Sequence, residues 1–306
     1  MGTVLGSPVV RVGFVTQLLW DRYGPFWREL AEGAGAEAVT PETDAVAQVL
    51  AELPADAAPS AAFRLALAQA MALADTDLLV LPRLNPEDKG DRGGGSDRWI
   101  ADLPGALVDA MPSGARNLAV ATYPDAGVET AAVQFLTELV RGAAEVGRVW
   151  ARFRTRAEAQ AQGRSPARAR AQASRSAARA LAHGNARVYL AQPWVMSTEV
   201  AARLANADER AITQLAVDPD KAREEGWRYD GKLLHTDAEV IGAARLLGRR
   251  SGVGEMTMLV DERSTSDAWL VRRLTQVTRR PVEAVPWQTA LGTDDALAVL
   301  HDIPVD

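Results

Sequence analysis

The stretch Gly254–Leu274, GEMTMLVDERSTSDAWLVRRL, decides the fold because it joins a buried strand, a polar loop and a helix. Met256–Val260 is a short apolar run, which is typical of a strand covered on both faces. The loop Asp261–Asp267 contains carboxylates, a guanidinium and hydroxyls within seven residues. The apolar residues that follow have helical spacing, which predicts a helix capped by Ser266 or Asp267. Ligands of open parallel sheets bind beyond the carboxyl ends of strands, so this loop is the first candidate for a site.

The same unit of strand, loop and helix recurs along the chain. Strands that alternate with helices at this spacing indicate βαβ units and a parallel sheet. The chain of 306 residues exceeds one typical domain. We therefore expect an α/β protein with two Rossmann-like, doubly wound parallel-sheet domains joined by an Ala/Arg-rich helical segment. The expected ranges are 1–145 for the N-terminal α/β domain, 146–185 for the helical connector and 186–306 for the C-terminal α/β domain.

Two further helix starts are indicated by capping residues. Thr236-Asp237-Ala238-Glu239 has the pattern of a capping box, which predicts that a long helix opens there. Thr293 is expected to cap a final helix near the end of the sequence.

Composition excludes several classes of protein and site. The chain has no cysteine, which excludes disulfides, thiolate zinc sites, cysteine nucleophiles and cysteine-bound iron–sulfur clusters within it. It lacks an apolar run long enough to span a membrane and a signal-peptide layout, so we expect a cytoplasmic protein. The formal net charge of −6 argues against a general nucleic-acid binder.

The Arg148–Arg187 segment departs from this mild acidity, with ten arginines and one acidic residue, Glu158. One interpretation is an anion-binding surface for nucleotide phosphates or nucleic acid. The other, which we favour, is a solvated helical bracket between two domains, because a run of charges usually marks a solvated face.

Common catalytic and nucleotide-binding motifs are missing from the sequence. It contains no GxGxxG after the first strand, no P-loop, no HExxH and no GxSxG. The three histidines, His183, His235 and His301, are far apart in the sequence and do not suggest a metal triad. We therefore expect neither a metal nor another cofactor.

Polar and aromatic side chains follow several predicted strands. Doubly wound topology would bring these strand exits to one edge of each sheet, and facing edges would form an interdomain cleft. The competing interpretation is a cap or loop hydrogen bond for each polar residue, and core packing for tryptophan. The candidate ligand-binding residues are Gln17, Tyr23, Arg83, Asn85, Tyr123, Gln192, Trp194, Asp261, Glu262, Arg263 and Ser264.

Three segments resemble proteins of the 2-hydroxyacyl-CoA dehydratase type and their activase-associated relatives. They are VRVGFVTQLLWDRYGPFWRELAEGAGAEAVTP (10–41), ARVYLAQPWVMSTEVAARLANADERAITQL (186–215) and GWRYDGKLLHTDAEVIGAARLLGRRSGVGEMTMLVDERSTSDAWLVRRL (226–274). The resemblance implies two Rossmann-like domains with helical additions and a cysteine-ligated iron–sulfur cluster in the cleft between them. This chain has Arg263, Ser264 and Thr265 where the family's loop brings a cysteine, so the family's radical dehydration is not expected here.

Three functional hypotheses follow. The first is a cluster-free, dehydratase-like protein that binds a small anionic or acyl-CoA-like ligand, a partner subunit or a second copy of itself in the cleft. The second is an enzyme with non-redox acid–base chemistry that uses Asp261, Glu262, Arg263 and Tyr123. The third is a nucleic-acid-associated protein that uses the arginine-rich segment, which the acidic net charge disfavours.

Overall fold

The computed structural model of the chain describes residues 9–54, 58–85, 97–111, 116–121, 128–160 and 167–292. Strands and helices alternate in these residues and build two four-stranded sheets whose strands are all parallel. The mixed α/β class predicted from the alternating pattern is confirmed. One sheet lies in the N-terminal half, residues 9–160, and the other in the C-terminal half, residues 167–292.

The N-terminal half carries its four strands in the order β2-β1-β3-β4. Its elements are β1 (Arg11–Phe14), α1 (Trp20–Gly33), β2 (Glu37–Val39), α2 (Thr43–Glu52), α3 (Ala61–Ala72), β3 (Leu78–Arg83), α4 (Arg98–Ala101), α5 (Leu103–Ala110), β4 (Arg116–Ala121), α6 (Val128–Leu139) and α7 (Ala143–Gln160).

The C-terminal half repeats this strand order as β6-β5-β7-β8. Its elements are α8 (Ala167–His183), β5 (Ala186–Leu190), α9 (Thr198–Ala207), β6 (Ala211–Thr213), a 3-10 turn (Gln214–Ala216), α10 (Pro219–Tyr229), α11 (His235–Gly248), β7 (Val253–Val260), α12 (Thr265–Thr278), β8 (Val282–Pro286) and α13 (Trp287–Leu291).

Both faces of each sheet are covered by apolar side chains. In β3, Leu78 and Val80 face a cluster formed with α1, α6 and α7, whereas Leu79 and Leu81 face a second cluster. That second cluster continues into the C-terminal half, where it includes Leu259 of β7. Strand residues alternate between faces, so this central core lies on one face of each sheet and joins the two halves.

Two helix starts differ from the capping predictions. The cap of α12 is Ser264, whose hydroxyl accepts from the Asp267 amide at 3.2 Å, so the prediction of Ser266 or Asp267 is wrong. The capping box predicted before α11 is also wrong, because that helix begins at His235 and has no side-chain cap from its own N-cap residue. The His235 amide instead donates to Asn85 Oδ1 at 2.7 Å, from the other half. The helix predicted after Thr293 lies outside the described residues.

The described part of the arginine-rich segment lies in α7, α8 and the start of β5, and three of its arginines form ion pairs there. Arg148 pairs with Glu145, Arg170 with Asp218, and Arg187 with Glu255. Helix α7 packs on α1 and α6, whereas α8 packs on β6 and the 3-10 turn that follows it. Each of the two helices therefore packs on its own half of the chain, and the role of a bracket between the two domains stays a prediction.

None of the helices in the described part of the chain has the length and apolar character that spanning a bilayer requires.

Candidate functional site

Each sheet has a switch point where the chain reverses its direction of winding. From β1 the chain moves outward to β2 and then returns to β3 on the other side, and the path from β5 to β6 and then β7 is the same. Ligands of such sheets bind in the crevice beyond the carboxyl ends of the two central strands. The expected crevices therefore lie after β1 and β3 in one half, and after β5 and β7 in the other.

The residues around these two crevices contact each other across the halves. The amide of Ala61, at the start of α3, donates to Asp261 Oδ2 at 2.7 Å. The ring centroids of Trp99 and Trp194 lie 5.6 Å apart with the rings tilted by 55°. Together with the bond between Asn85 and His235, these contacts define a junction between the carboxyl ends of the two sheets.

Helix N-termini at the junction are capped reciprocally. Asp97 of the N-terminal half accepts from the Ser264 hydroxyl at 3.2 Å, from the Thr265 hydroxyl and from the Ser266 amide at 3.3 Å, all at the start of α12. Asp261 of the C-terminal half accepts in turn from the Ala61 amide at the start of α3. Carboxylates stabilise helix N-termini because the first amides of a helix are unpaired and carry partial positive charge. Each half thus completes a helix of the other.

Asp267 is the titratable group most strongly perturbed at the junction. Its Oδ1 accepts from Gln192 Nε2 at 3.1 Å and its Oδ2 accepts from the Asp261 amide at 2.8 Å. Both donors are neutral. Burial raises the pKa of Asp267 to about 7, against the lowering effect of these hydrogen bonds. The group can therefore gain or lose a proton near neutral pH.

A second buried polar cluster joins α1 to the C-terminal half. Arg22 Nη1 lies 3.0 Å from Glu239 Oε1, and Arg223 Nη1 lies 3.3 Å from Glu239 Oε2. Burial raises the pKa of the neighbouring Tyr23 to about 12, so its phenol stays protonated at neutral pH. The carboxylate of Glu239 therefore forms ion pairs with these two arginines instead of taking part in the capping box that the sequence suggested.

The β1–α1 turn at the first switch point has an unusual backbone. Leu18 and Leu19 are consecutive non-glycine residues with φ of 61° and 76°. Left-handed conformations are costly for leucine and persist where the surrounding structure fixes them. Both side chains are buried in the central core, which holds the turn in place.

The sequence candidates divide by burial. Gln17, Tyr23, Asn85, Gln192, Trp194 and Ser264 are buried, Arg83 and Asp261 are half-buried, and Glu262 and Arg263 are exposed. Cross-half contacts bring together Asn85, Trp194, Asp261 and Ser264. Tyr123 lies outside the described residues. Packing and capping therefore occupy many of the side chains that the sequence placed around an interdomain cleft.

Sequence reasoning missed Asp97 at the junction and Arg22 in the buried ion-pair cluster, and it assigned Asp267 only to capping. A carboxylate that caps a helix more than 160 residues away leaves no local pattern, as the bond from Ser264 to Asp97 illustrates. A weak signal existed for Asp267, because it follows a buried strand at the second switch point.

The junction does not fit the iron–sulfur cluster that the family resemblance implies. Asn85 at the exit of β3, and Asp261 and Ser264 after β7, offer oxygen and amide nitrogen in place of thiolate. Across the described residues, no group of three or more His, Asp or Glu side chains has a geometry that could hold a metal ion.

Comparisons with known proteins add no further constraint, because no family model, curated protein or solved structure matches the chain.

Proposed function

We propose that the chain is a cluster-free protein of the 2-hydroxyacyl-CoA dehydratase type that binds a small anionic ligand at the junction without radical chemistry. In this proposal the halves are two Rossmann-like, doubly wound domains, and the protein works in the cytoplasm. The equivalent strand orders and the facing switch points support the arrangement. Binding of a partner subunit or a second copy of the chain remains a prediction.

The observation that carries the proposal is the pair Gln192 and Asp267 at the second switch point. The two side chains follow the neighbouring strands β5 and β7. Gln192 Oε1 is buried without a hydrogen-bond partner in the described part of the chain. A buried acceptor without a partner costs free energy, and strongly perturbed carboxyl groups cluster at functional sites. Both features favour a ligand at this position.

The ligand chemistry follows from the groups that converge there. The N-termini of α3, α11 and α12 meet at the junction, where Asp261, Asn85 and Asp97 accept from their amides. Helix N-termini favour anions, so an anionic ligand would compete with these caps for the same donors. An ionised Asp267 would repel that anion, whereas a protonated Asp267 can donate a hydrogen bond to it. Binding is therefore expected to be accompanied by uptake of a proton at Asp267.

Calorimetric titration tests this coupling. The probes are coenzyme A, acetyl-coenzyme A and lactate, titrated about one pH unit below and above the pKa of about 7 in buffers of different ionisation enthalpy. We expect binding of at least one probe, with proton uptake and roughly up to tenfold higher affinity on the acidic side.

Two variants sharpen the test. Asp267→Asn is expected to bind without proton uptake and with little pH dependence, whereas the exposed control Asp109→Asn should behave as the original chain does. The proposal fails if no probe binds, or if proton uptake is unchanged in Asp267→Asn.

A second candidate function is non-redox acid–base catalysis at the same junction. Asp267 favours it, because a group with a pKa of about 7 is suited to proton transfer near neutral pH. Asp261 is less suited than the sequence suggested, since its carboxylate caps α3. Metabolite profiling with the original chain, Asp267→Asn and Asp109→Asn tests this candidate. Turnover that is lost in Asp267→Asn alone supports it, and an absence of turnover in the original chain contradicts it.

A further inference from the structure

A concave region lies away from the junction, between α8 and α9. It runs beside β6, which is an edge strand of the second sheet because it pairs with β5 alone. Its wider part has a volume of about 330 Å³. Pockets for small molecules are typically about 300 to 1,000 Å³, so the groove is large enough for a small metabolite.

A narrow extension of the groove is lined mainly by apolar side chains. Ala202, Ala205 and Ala211 line both the wide part and the narrow extension. The extension continues over Ala201 and Leu215. Alanine and leucine side chains make up more than half of the lining of the extension, beside Gln172, Ser176, Thr198 and Thr213. This lining suits a short apolar side chain of a ligand and offers no charged partner to a charged one.

The outer rim carries opposite charges that do not pair with each other. Arg179 of α8 and Glu209, just beyond α9, both line the wide part. Both side chains are exposed, and neither has an ion pair within the described part of the chain. Further hydrogen-bonding groups surround them: Gln172, Ser176, His183 and Asn206.

We propose that this groove binds a free α-amino acid with a short apolar side chain. The Arg179 guanidinium pairs with the ligand carboxylate, because a planar fork of donors matches a carboxylate. The Glu209 carboxylate pairs with the ligand ammonium, and the alanine floor receives the side chain. Opposite charges on the two sides of the groove are complementary to a zwitterion and disfavour a simple anion or cation. The site is separate from the junction and does not depend on the function proposed there.

Ligand-observed NMR and calorimetry with the full chain test the proposal. L-valine is the probe, and N-acetyl-valine and valinamide, each of which lacks one of the two charges, are its matched analogues. We expect L-valine to bind and each analogue to bind about tenfold or more weakly, since each loses one charge-assisted hydrogen bond.

Variants locate the binding. Arg179→Gln and Glu209→Gln are each expected to weaken L-valine binding about tenfold or more, and Ala205→Phe should abolish it by filling the groove. Arg175→Gln is the control, because Arg175 is exposed on the same helix but does not line the groove. The proposal is overturned if L-valine does not bind at about 10 mM, or if both analogues bind as tightly as L-valine does. It is also overturned if Arg175→Gln weakens L-valine binding as much as Arg179→Gln.

Discussion

The side chain of Asp267 loses its hydration on folding without gaining a cationic partner. Its pKa rises from 3.8 to about 7, so between these values the folded chain holds a proton that the unfolded chain has released. The contribution of Asp267 to the free energy of unfolding is therefore fully present below the unfolded pKa and falls as the pH rises. It reaches its minimum above the folded pKa.

Replacing Asp267 with asparagine should remove this pH dependence. The amide stays neutral, so we expect Asp267→Asn to gain stability over the original chain by on the order of a few kcal/mol as the pH rises from about 5 to about 8. Urea unfolding at several pH values measures the difference, with exposed Asp109→Asn as the control. The same pH slope in Asp267→Asn and the original chain would show that another group titrates.

At the scale of elements, the crossing of α10 and α11 depends on glycine. A Cβ at Gly226 would overlap the carbonyl oxygen of Ala238, and a Cβ at Gly242 would overlap that of Ala222. The two helices therefore approach until their backbones touch. This contact places Arg223 of α10 beside Glu239 of α11, within the cluster that reaches Arg22.

Adding one methyl group should separate this pair of helices. Gly242→Ala is expected to destabilise the chain by about 1 to 3 kcal/mol or more, because the backbone contact has no room to relax. Gly147→Ala on α7 is the matched control: open space surrounds that position, so the higher helix propensity of alanine should stabilise the chain by up to about 1 kcal/mol. Chemical denaturation of both variants provides the measurement, and shifts of the same sign would contradict the packing argument.

Elements were more predictable from the sequence than the contacts between them. The apolar run of β7 and the periodicity of α12 are local, so Gly254–Leu274 indicated a strand, a loop and a helix correctly. The start of α11 could not be predicted from nearby residues, because the residue that accepts from its first amide, Asn85, lies 150 residues away in the sequence. The left-handed pair Leu18 and Leu19 also left no signal, since leucine seldom adopts that conformation.

At the scale of the whole molecule, buried apolar side chains from both halves pack together at the junction in the described residues. The central core contains Phe63 and Trp99 from one half, and Trp194, Leu234 and Leu259 from the other. Halves that share an extensive apolar interface do not move independently by default. A ligand at the junction is therefore expected to bind between fixed walls.

Cysteine cross-linking tests most directly whether the loop after β7 faces the other half, on which the proposed site depends. The chain contains no cysteine, so a pair introduced at Asp97 and Thr265 is the only one that can react. Their side chains are hydrogen-bonded to each other, so the two positions lie close together across the junction. The control combines Asp97→Cys with Ser251→Cys, which lies before β7 at the amino end of that strand.

Mild oxidation followed by non-reducing electrophoresis and mass measurement gives the result. We predict an intrachain disulfide in Asp97→Cys/Thr265→Cys and none in the Ser251 control. Failure of the first pair to cross-link within one chain, or equal yields in both variants, would contradict the facing arrangement of the two sheets.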